Sequence, residues 1–448
     1  VHPLGCSVLP LSYMDLVMEA FSRHFTACRT RAVRYADGAM DTIGAYVVQR
    51  TVYRYPPLPP HQWGRRAGMN GKQQQVEHTE RFQGANVDKK LVQRRFDKHA
   101  KEYDSYAEVQ RMMADELVEQ IRRTVELAPL RGACQGAVLS AHKSASKYVP
   151  KSASKSVPKY APNSTYPSLH PYPQGSHAAE SIQSGGEIPR TMRILDVGCG
   201  TGMLSEQLVQ VFPNVELTLI DLSPRMLEHA CTKLERAGVS LDRVYPIAAD
   251  VEAWLDEMQS QMKKPTFDLI ASSAAFQWFN HPAITVQHML RLLAPDGMLA
   301  FSTFLPGTVK ELHKSFRQAE AALGIPFVPR GQCYPNQDDW VSWLMNSKEC
   351  NKDQTIKWES KSYCCTFPDV HAALAQVRRV GAGNAVHSEQ GNGAESGDRK
   401  KGTSHRTLMQ AMKRAYIDTF QQENGLIPLT YEVAYCLVQK GKVLAPIL

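Results

Sequence analysis

Ile194-Leu195-Asp196-Val197-Gly198-Cys199-Gly200-Thr201-Gly202 reads as a buried strand that runs into three glycines at alternate positions. Glycine tolerates positive φ, so the chain can turn sharply there and approach a ligand that a side chain would hold off. A helix starting at that turn aims its unpaired N–H groups and its positive end at whatever binds. Asp221 closes the next apolar run, Val215 to Ile220, where a carboxylate can accept two ribose hydroxyls. A dinucleotide fingerprint spaces its glycines G-x-G-x-x-G to make room for a pyrophosphate; here the pattern is G-x-G-x-G, with Asp196 two residues ahead. The loop therefore points to a nucleoside without phosphate, ahead of a dinucleotide or a tight turn that binds nothing.

The rest of the chain sets this loop in an α/β frame. Strand and helix alternate over 193–197, 203–211, 215–220, 224–237, 243–248, 252–261, 267–272, 282–293 and 297–303, which predicts a parallel, doubly wound sheet. Two helices within 305–345, a strand over 356–364, helices over 368–380 and 408–423, and a last strand over 430–438 follow. Upstream, Phe96, Ala100, Tyr103, Ala107, Gln110, Ala114, Leu117 and Ile121 fall three or four apart, predicting one long amphipathic helix that ends near Pro129. Between that helix and the first strand, the eight-residue repeat Lys143 to Pro150 and Lys151 to Pro158 leads into a Pro/Ser/Tyr/His-rich tract; such a composition cannot offset chain entropy. Disordered insertions are expected at about 131–190 and 385–404 within a domain over 89–448. Residues 1–88, with Pro56-Pro57-Leu58-Pro59-Pro60 and a Gly/Gln-rich stretch, read as a partly disordered extension without a chemical motif.

Composition narrows the class. The 448 residues are 43% hydrophobic, ample for a core, and contain no run of about eighteen apolar residues that would cross a membrane. Asp15 and Glu19 interrupt what a signal peptide would keep apolar, so the protein is read as cytoplasmic. Ten cysteines without C-x-x-C pairs predict neither a zinc site nor a disulfide framework, and no metal is expected. The net charge of +8 is partly the work of five lysines between Lys143 and Lys159, although a basic face for an acidic protein partner fits it too. No partner membrane or nucleic acid is expected, and the chain is read as a monomer.

S-adenosylmethionine is the nucleoside that suits this loop together with the acids downstream. Asp250, after the third strand, can accept the adenine amino hydrogens or cap the following helix, and the two roles are compatible. After the fourth strand, Ser272-Ser273-Ala274-Ala275-Phe276-Gln277-Trp278 sets small residues and then aromatics at the edge where a transferred methyl would lie. The Asn-Pro-Pro-Tyr type motif of enzymes that methylate DNA amino groups is missing there.

Arg95-Phe96-Asp97, Tyr103-Asp104-Ser105-Tyr106, Val109-Gln110, Asp196 to Gly202, Phe276-Gln277-Trp278, Phe301-Ser302-Thr303-Phe304, Glu311-Leu312-His313 and Leu429-Thr430-Tyr431-Glu432-Val433, taken in order, resemble the malonyl-acyl-carrier-protein O-methyltransferases of biotin synthesis. The resemblance covers about residues 92 to 440 apart from the two insertions. It implies a Rossmann-like class I methyltransferase fold: a mostly parallel seven-stranded sheet, an N-terminal capping helix and a helical insertion after the fifth strand. It also implies methyl transfer from S-adenosylmethionine to the free carboxylate of a malonyl thioester on an acidic carrier with a phosphopantetheine arm. Gln110, Asp196, Gly198, Cys199, Gly200, Gly202, Asp221, Leu222, Met226, Asp250, Val251 and Ser273 are the expected cofactor residues. Phe276, Gln277, Trp278 and His313 are expected at the substrate. A carboxylate is already ionised at neutral pH, so positioning and water exclusion suffice without a general base. Arg330 is the candidate bidentate holder of that carboxylate, against a solvated loop arginine. Tyr103 and Tyr106 are candidate catalytic groups, against a core stripe with satisfied hydroxyls. A methyltransferase for another small carboxylic acid or a quinone-type molecule is the other enzymatic reading, and a non-catalytic binding module the reading from another class.

Overall fold

A computed structural model describes residues 87–127, 191–261, 266–328, 331–332, 334–346, 354–380 and 404–440, and the backbone of 49–54. The two expected insertions apart from Ser404, most of residues 1–88, and Arg330 lie outside the described residues. Eight strands form one sheet: β1 Gln49–Arg54, β2 Met192–Val197, β3 Val215–Asp221, β4 Val244–Ala248, β5 Phe267–Ser273, β6 Leu293–Phe304, β7 Thr355–Phe367 and β8 Ile427–Gln439. Their order is β1-β7-β8-β6-β5-β2-β3-β4. β2, β3, β4, β5 and β6 pair in parallel, whereas β8 runs against both β6 and β7. The expected seven strands are therefore present, and β1 adds an eighth on the edge of β7, antiparallel, with Gln49 opposite Cys364 and Arg54 opposite Glu359. It comes from the stretch in which the sequence showed no motif.

Alternation along β2 divides the core. Ile194 faces one layer, with Leu204 and Leu208 of α4 (Met203–Val211), Leu227 and Leu234 of α5 (Pro224–Arg236), and Met113, Leu117 and Ile121 of the cap. Leu195 and Val197 face the other, with Trp254 and Leu255 of α6 (Val251–Ser260), Met289 and Leu290 of α7 (Pro282–Leu292), and Trp340 of α9 (Gln337–Met345). Each fully buried Leu or Ile contributes roughly 1.5–3 kcal/mol, so the sheet is held from both faces. The helical insertion after β6 consists of α8 (Lys310–Leu323) and α9; α10 (Val370–Arg379) and α11 (His405–Phe420) stand between β7 and β8.

The single long N-terminal helix read from the spacing is instead three segments: α1 Lys89–His99, α2 Tyr103–Tyr106 and α3 Glu108–Leu127. No Pro or Gly breaks it. The break at Ala107 (φ −86, ψ 47) is compensated by tertiary hydrogen bonds that a straight rod would not make. Asp97 accepts from the Ser223 hydroxyl (2.6 Å), Asp104 accepts from Thr201 Oγ1 (2.5 Å) and pairs with Lys233 (2.6 Å), and Val87 N–H donates to Asn280 Oδ1 (2.7 Å). The folded-over cap thus roofs the glycine loop.

Candidate functional site

The first cavity lies at the C-terminal ends of β2, β3 and β5, with an empty volume of about 870 Å3 including its open mouth. The turn after β2 explains its floor: Gly198, Gly200 and Gly202 have φ of +66, +54 and +80, and Gly202 caps α4. Gly200 N–H donates to Asp221 Oδ2 (2.9 Å) and Ser223 N–H to Asp221 Oδ1 (2.8 Å), so the acid at the end of β3 ties the loop to the next helix. Each carboxylate oxygen has two lone pairs, which leaves acceptor capacity on both for ligand hydroxyls. Burial raises the Asp221 carboxyl to about 6 against the opposing N–H bonds. Asp196 Oδ2 accepts from the Ser205 hydroxyl (2.6 Å), while its Oδ1 is buried with no protein partner. Burial lifts this group to about 7. An unpaired carboxylate oxygen lining a cleft is what a ligand ammonium would satisfy, and the donor set fits S-adenosylmethionine.

The far end is closed by Asp250, Val251, Leu222 and Phe279. Asp250 Oδ1 caps α6 at Glu252 N–H (3.1 Å) and pairs with Lys89 (3.1 Å), which also reaches Glu252 (2.7 Å). Burial alone would raise Glu252, but Lys89 and the N–H groups of Asn280 and His281 outweigh it and hold the carboxyl below its ordinary value.

A second cavity adjoins the first and shares Phe96, Tyr103, Gln110 and Trp278 with it. Its remaining walls are largely apolar, from Phe304, Leu312, Phe316, Val377 and Val380, with polar groups at Thr308, His313, Gln277, Gln332, Tyr334 and Tyr431. Gln332 is 8% exposed and its side-chain nitrogen has no partner. Burial, then Asp221 and Asp104, push the Tyr103 hydroxyl well up, so it stays protonated and is a donor. Burial and Arg317 lower His313, which favours the neutral ring.

A family model described as a methyltransferase domain matches residues 188–355. The malonyl-[acyl-carrier protein] O-methyltransferase of Brevibacillus brevis is 37% identical over 242 residues, 54% of this chain and 79% of that one. The chain belongs to the malonyl-acyl-carrier-protein O-methyltransferase family. The namesake from Paenibacillus is 32% identical over 240 residues, 54% of this chain and 79% of that protein. A crystal structure of a putative methyltransferase from Bacillus halodurans is 15% identical, with a TM-score of 0.36, covering 56% of this chain and 94% of that one; the fold here rests on strand order, not on that overlap. Membership of the malonyl-acyl-carrier-protein O-methyltransferase family makes the protein an S-adenosylmethionine-dependent O-methyltransferase. Among the described residues no helix is long and apolar enough to cross a membrane.

In this family member, every residue expected at the cofactor lines the first cavity except Gly202. Gly202 packs on α5 instead, where an added Cβ would lie 3.0 Å from Ala230. Tyr103 and Trp278 line both cavities, and Gln277 and His313 the second. Two expectations need correction. Phe276 is 3% exposed and packs on Phe279, Phe301 and Trp340, because the short turn after β5 directs it beneath the sheet. Tyr106 lines neither cavity; the break at Ala107 turns it onto α10, with Arg379 4.5 Å from its ring centre. Lys89, Thr308, Gln332 and Tyr334 were missed. Phe96, Phe304, Leu312 and Tyr431, which line the cavities as well, carried a sequence signal, each lying inside one of the motifs quoted above.

Asp196 sets opposing pH trends. Its folded pKa, about 7, lies above the unfolded value near 4, so the folded protein binds the extra proton and the empty enzyme gains stability from this group as pH falls through that window. Ligand ammonium prefers the ionised form, so cofactor affinity moves the other way. Between pH 8 and 6, the wild-type Kd for S-adenosylmethionine should rise relative to that of Asp196→Asn, while the thermal stability of the empty wild type gains on the variant. Parallel trends in the two proteins would remove Asp196 from both roles.

Proposed function

We propose that the enzyme methylates the free carboxylate of malonyl-acyl carrier protein, giving the methyl ester that primes pimeloyl chain synthesis for biotin. The observation that carries this reading is the pair of adjoining cavities with Tyr103 in their common wall. Bound S-adenosylmethionine supplies an activated methyl on a sulfonium. Asp196 and Asp221 hold and orient the donor, the first through the unpaired Oδ1 and the second through its spare lone pairs. Tyr103, always protonated, donates to one oxygen of the acceptor carboxylate and leaves the other to attack. Gln332 offers its unpaired N–H groups to the acyl chain's oxygens, and Phe96 and Trp278 exclude water. No proton is removed, which suits a site whose tyrosine and histidine are both poor bases for this step.

Incubation with labelled S-adenosylmethionine and malonyl-acyl carrier protein should place label on the malonyl group in a base-labile ester; label on a free small acid or a quinone alone would sink the reading. Tyr103→Phe should lower kcat by about ten- to hundredfold, the worth of a hydrogen bond to a charged group, with cofactor affinity near normal. Arg330, adjacent in sequence to Gly331 and Gln332 of the second cavity, remains the proposed carboxylate clamp. Arg330→Ala should raise KM for the malonyl carrier strongly and leave the Kd of the donor unchanged; unaltered kinetics would exclude it.

A further inference from the structure

The two helices that wall the acceptor cavity distribute their charges unevenly. α8 has two carboxylates, Glu311 and Glu320, and both are buried. Glu311 accepts from Thr430 N–H (3.0 Å) and from its hydroxyl. The exposed positions of the helix, Lys310, Lys314, Arg317, Gln318, Ala321 and Ala322, hold three cations and no acid. Spacing of four and three residues sets those cations in one stripe, beside the face whose Leu312, His313 and Phe316 line the cavity. α10 repeats the arrangement: Val377 and Val380 line the cavity, Arg378 and Arg379 are exposed, and the helix contains no Asp or Glu.

The cap helix α3 shows the contrast. Arg122 and Arg123 there are engaged by Glu119 and Glu126 of the same helix at 2.6–2.8 Å. On α8 the partners come from other elements: Glu432 of β8 lies 3.5 Å from Lys310, and Lys314 sits 5.5 Å from the ring centre of Phe420 on α11. The segment leaving α8 then exposes Phe327 (59%) and Val328 (50%) before reaching Gly331 and Gln332 at the cavity. A positive rim with an apolar spot beside a cavity mouth is complementary to an acidic protein surface.

We propose that this rim, Lys310, Lys314 and Arg317 on α8 with Arg378 and Arg379 on α10, is where the acidic carrier protein docks, so that its phosphopantetheine arm enters the cavity beside it. The inference rests on the malonyl-carrier reading above. Its test compares malonyl-acyl carrier protein with malonyl-pantetheine, which has the same reacting carboxylate and no carrier. In Lys314→Glu/Arg378→Glu, neither residue of which lines a cavity, kcat/KM for the carrier substrate should fall about tenfold or more, with the malonyl-pantetheine rate within about twofold of wild type. Added salt should depress the wild-type carrier rate more than the variant's. Arg236→Glu on α5 should leave both rates unchanged. An unaltered carrier rate in the double variant, or an equal loss on both substrates, overturns the docking surface and leaves the methylation reading standing. A wild-type enzyme that labels neither substrate removes that reading, and the docking surface with it.

Discussion

Asp221→Ala should raise the Kd for S-adenosylmethionine by about a hundredfold or more, measured by titration calorimetry at pH 8, where the native carboxylate is ionised. The size follows from the two charge-assisted hydrogen bonds that its spare lone pairs offer the ligand, while the N–H groups it already holds set the cost in stability. Its two oxygens accept the N–H groups of Gly200 and Ser223 at 2.9 and 2.8 Å, and Ser223 is fully buried. Removing the acceptor leaves both donors unpaired, each at a cost of about 1–3 kcal/mol, and takes away the spare lone pairs for the ligand. Removing a buried charge returns part of that in the empty protein, since burial already pushes this carboxyl up to about 6. A Kd within threefold of wild type would exclude Asp221 from the donor site.

Gly198→Ala should cost at least about 3 kcal/mol of stability and abolish donor binding. At φ +66 an L residue is strained, and the added Cβ would lie 2.5 Å from the Cβ of Ala275, a buried residue on the chain leaving β5. Gly200→Ala separates the two contributions: its φ is +54, but a Cβ there meets no protein atom within 4 Å. It should lose only the dihedral part, about 1–2 kcal/mol. Ala275→Gly in the Gly198→Ala background should restore the difference between them. If the double variant is no more stable than Gly198→Ala alone, close packing of the two turns is not what fixes glycine at 198.

The strands were readable because a parallel sheet covered on both faces demands mostly apolar runs, and 215–220 and 267–272 each hold four apolar residues in six. One helix start was readable from its cap: Asp250 before Val251 accepts from the first turn of the helix that follows. What escaped depended on distant contacts. Periodicity carried Phe96 to Ile121 through as one helix, because the bonds of Asp97 and Asp104 to residues more than ninety positions away leave no local trace. Phe276 and Trp278 are neighbours in a three-residue turn; one enters the core and the other the cavities, a choice that residue type does not make. Lys89 looks like any surface lysine until α6 brings Asp250 and Glu252 to it. β1 owes its place to a free edge on β7, which alternation within 49–54 alone does not reveal.

Phe96, Tyr103, Gln110 and Trp278 belong to both cavities at once. A donor in the first cavity and an acceptor in the second would press on the same four side chains, and their affinities would be bound by reciprocity: whatever factor a bound donor imposes on the acceptor's dissociation constant, the acceptor imposes on the donor's. A substitution in this shared wall is consequently read on both ligands together, as Tyr103→Phe is read on kcat beside donor affinity, and its effect on cooperativity is a quantity separate from its effect on either affinity.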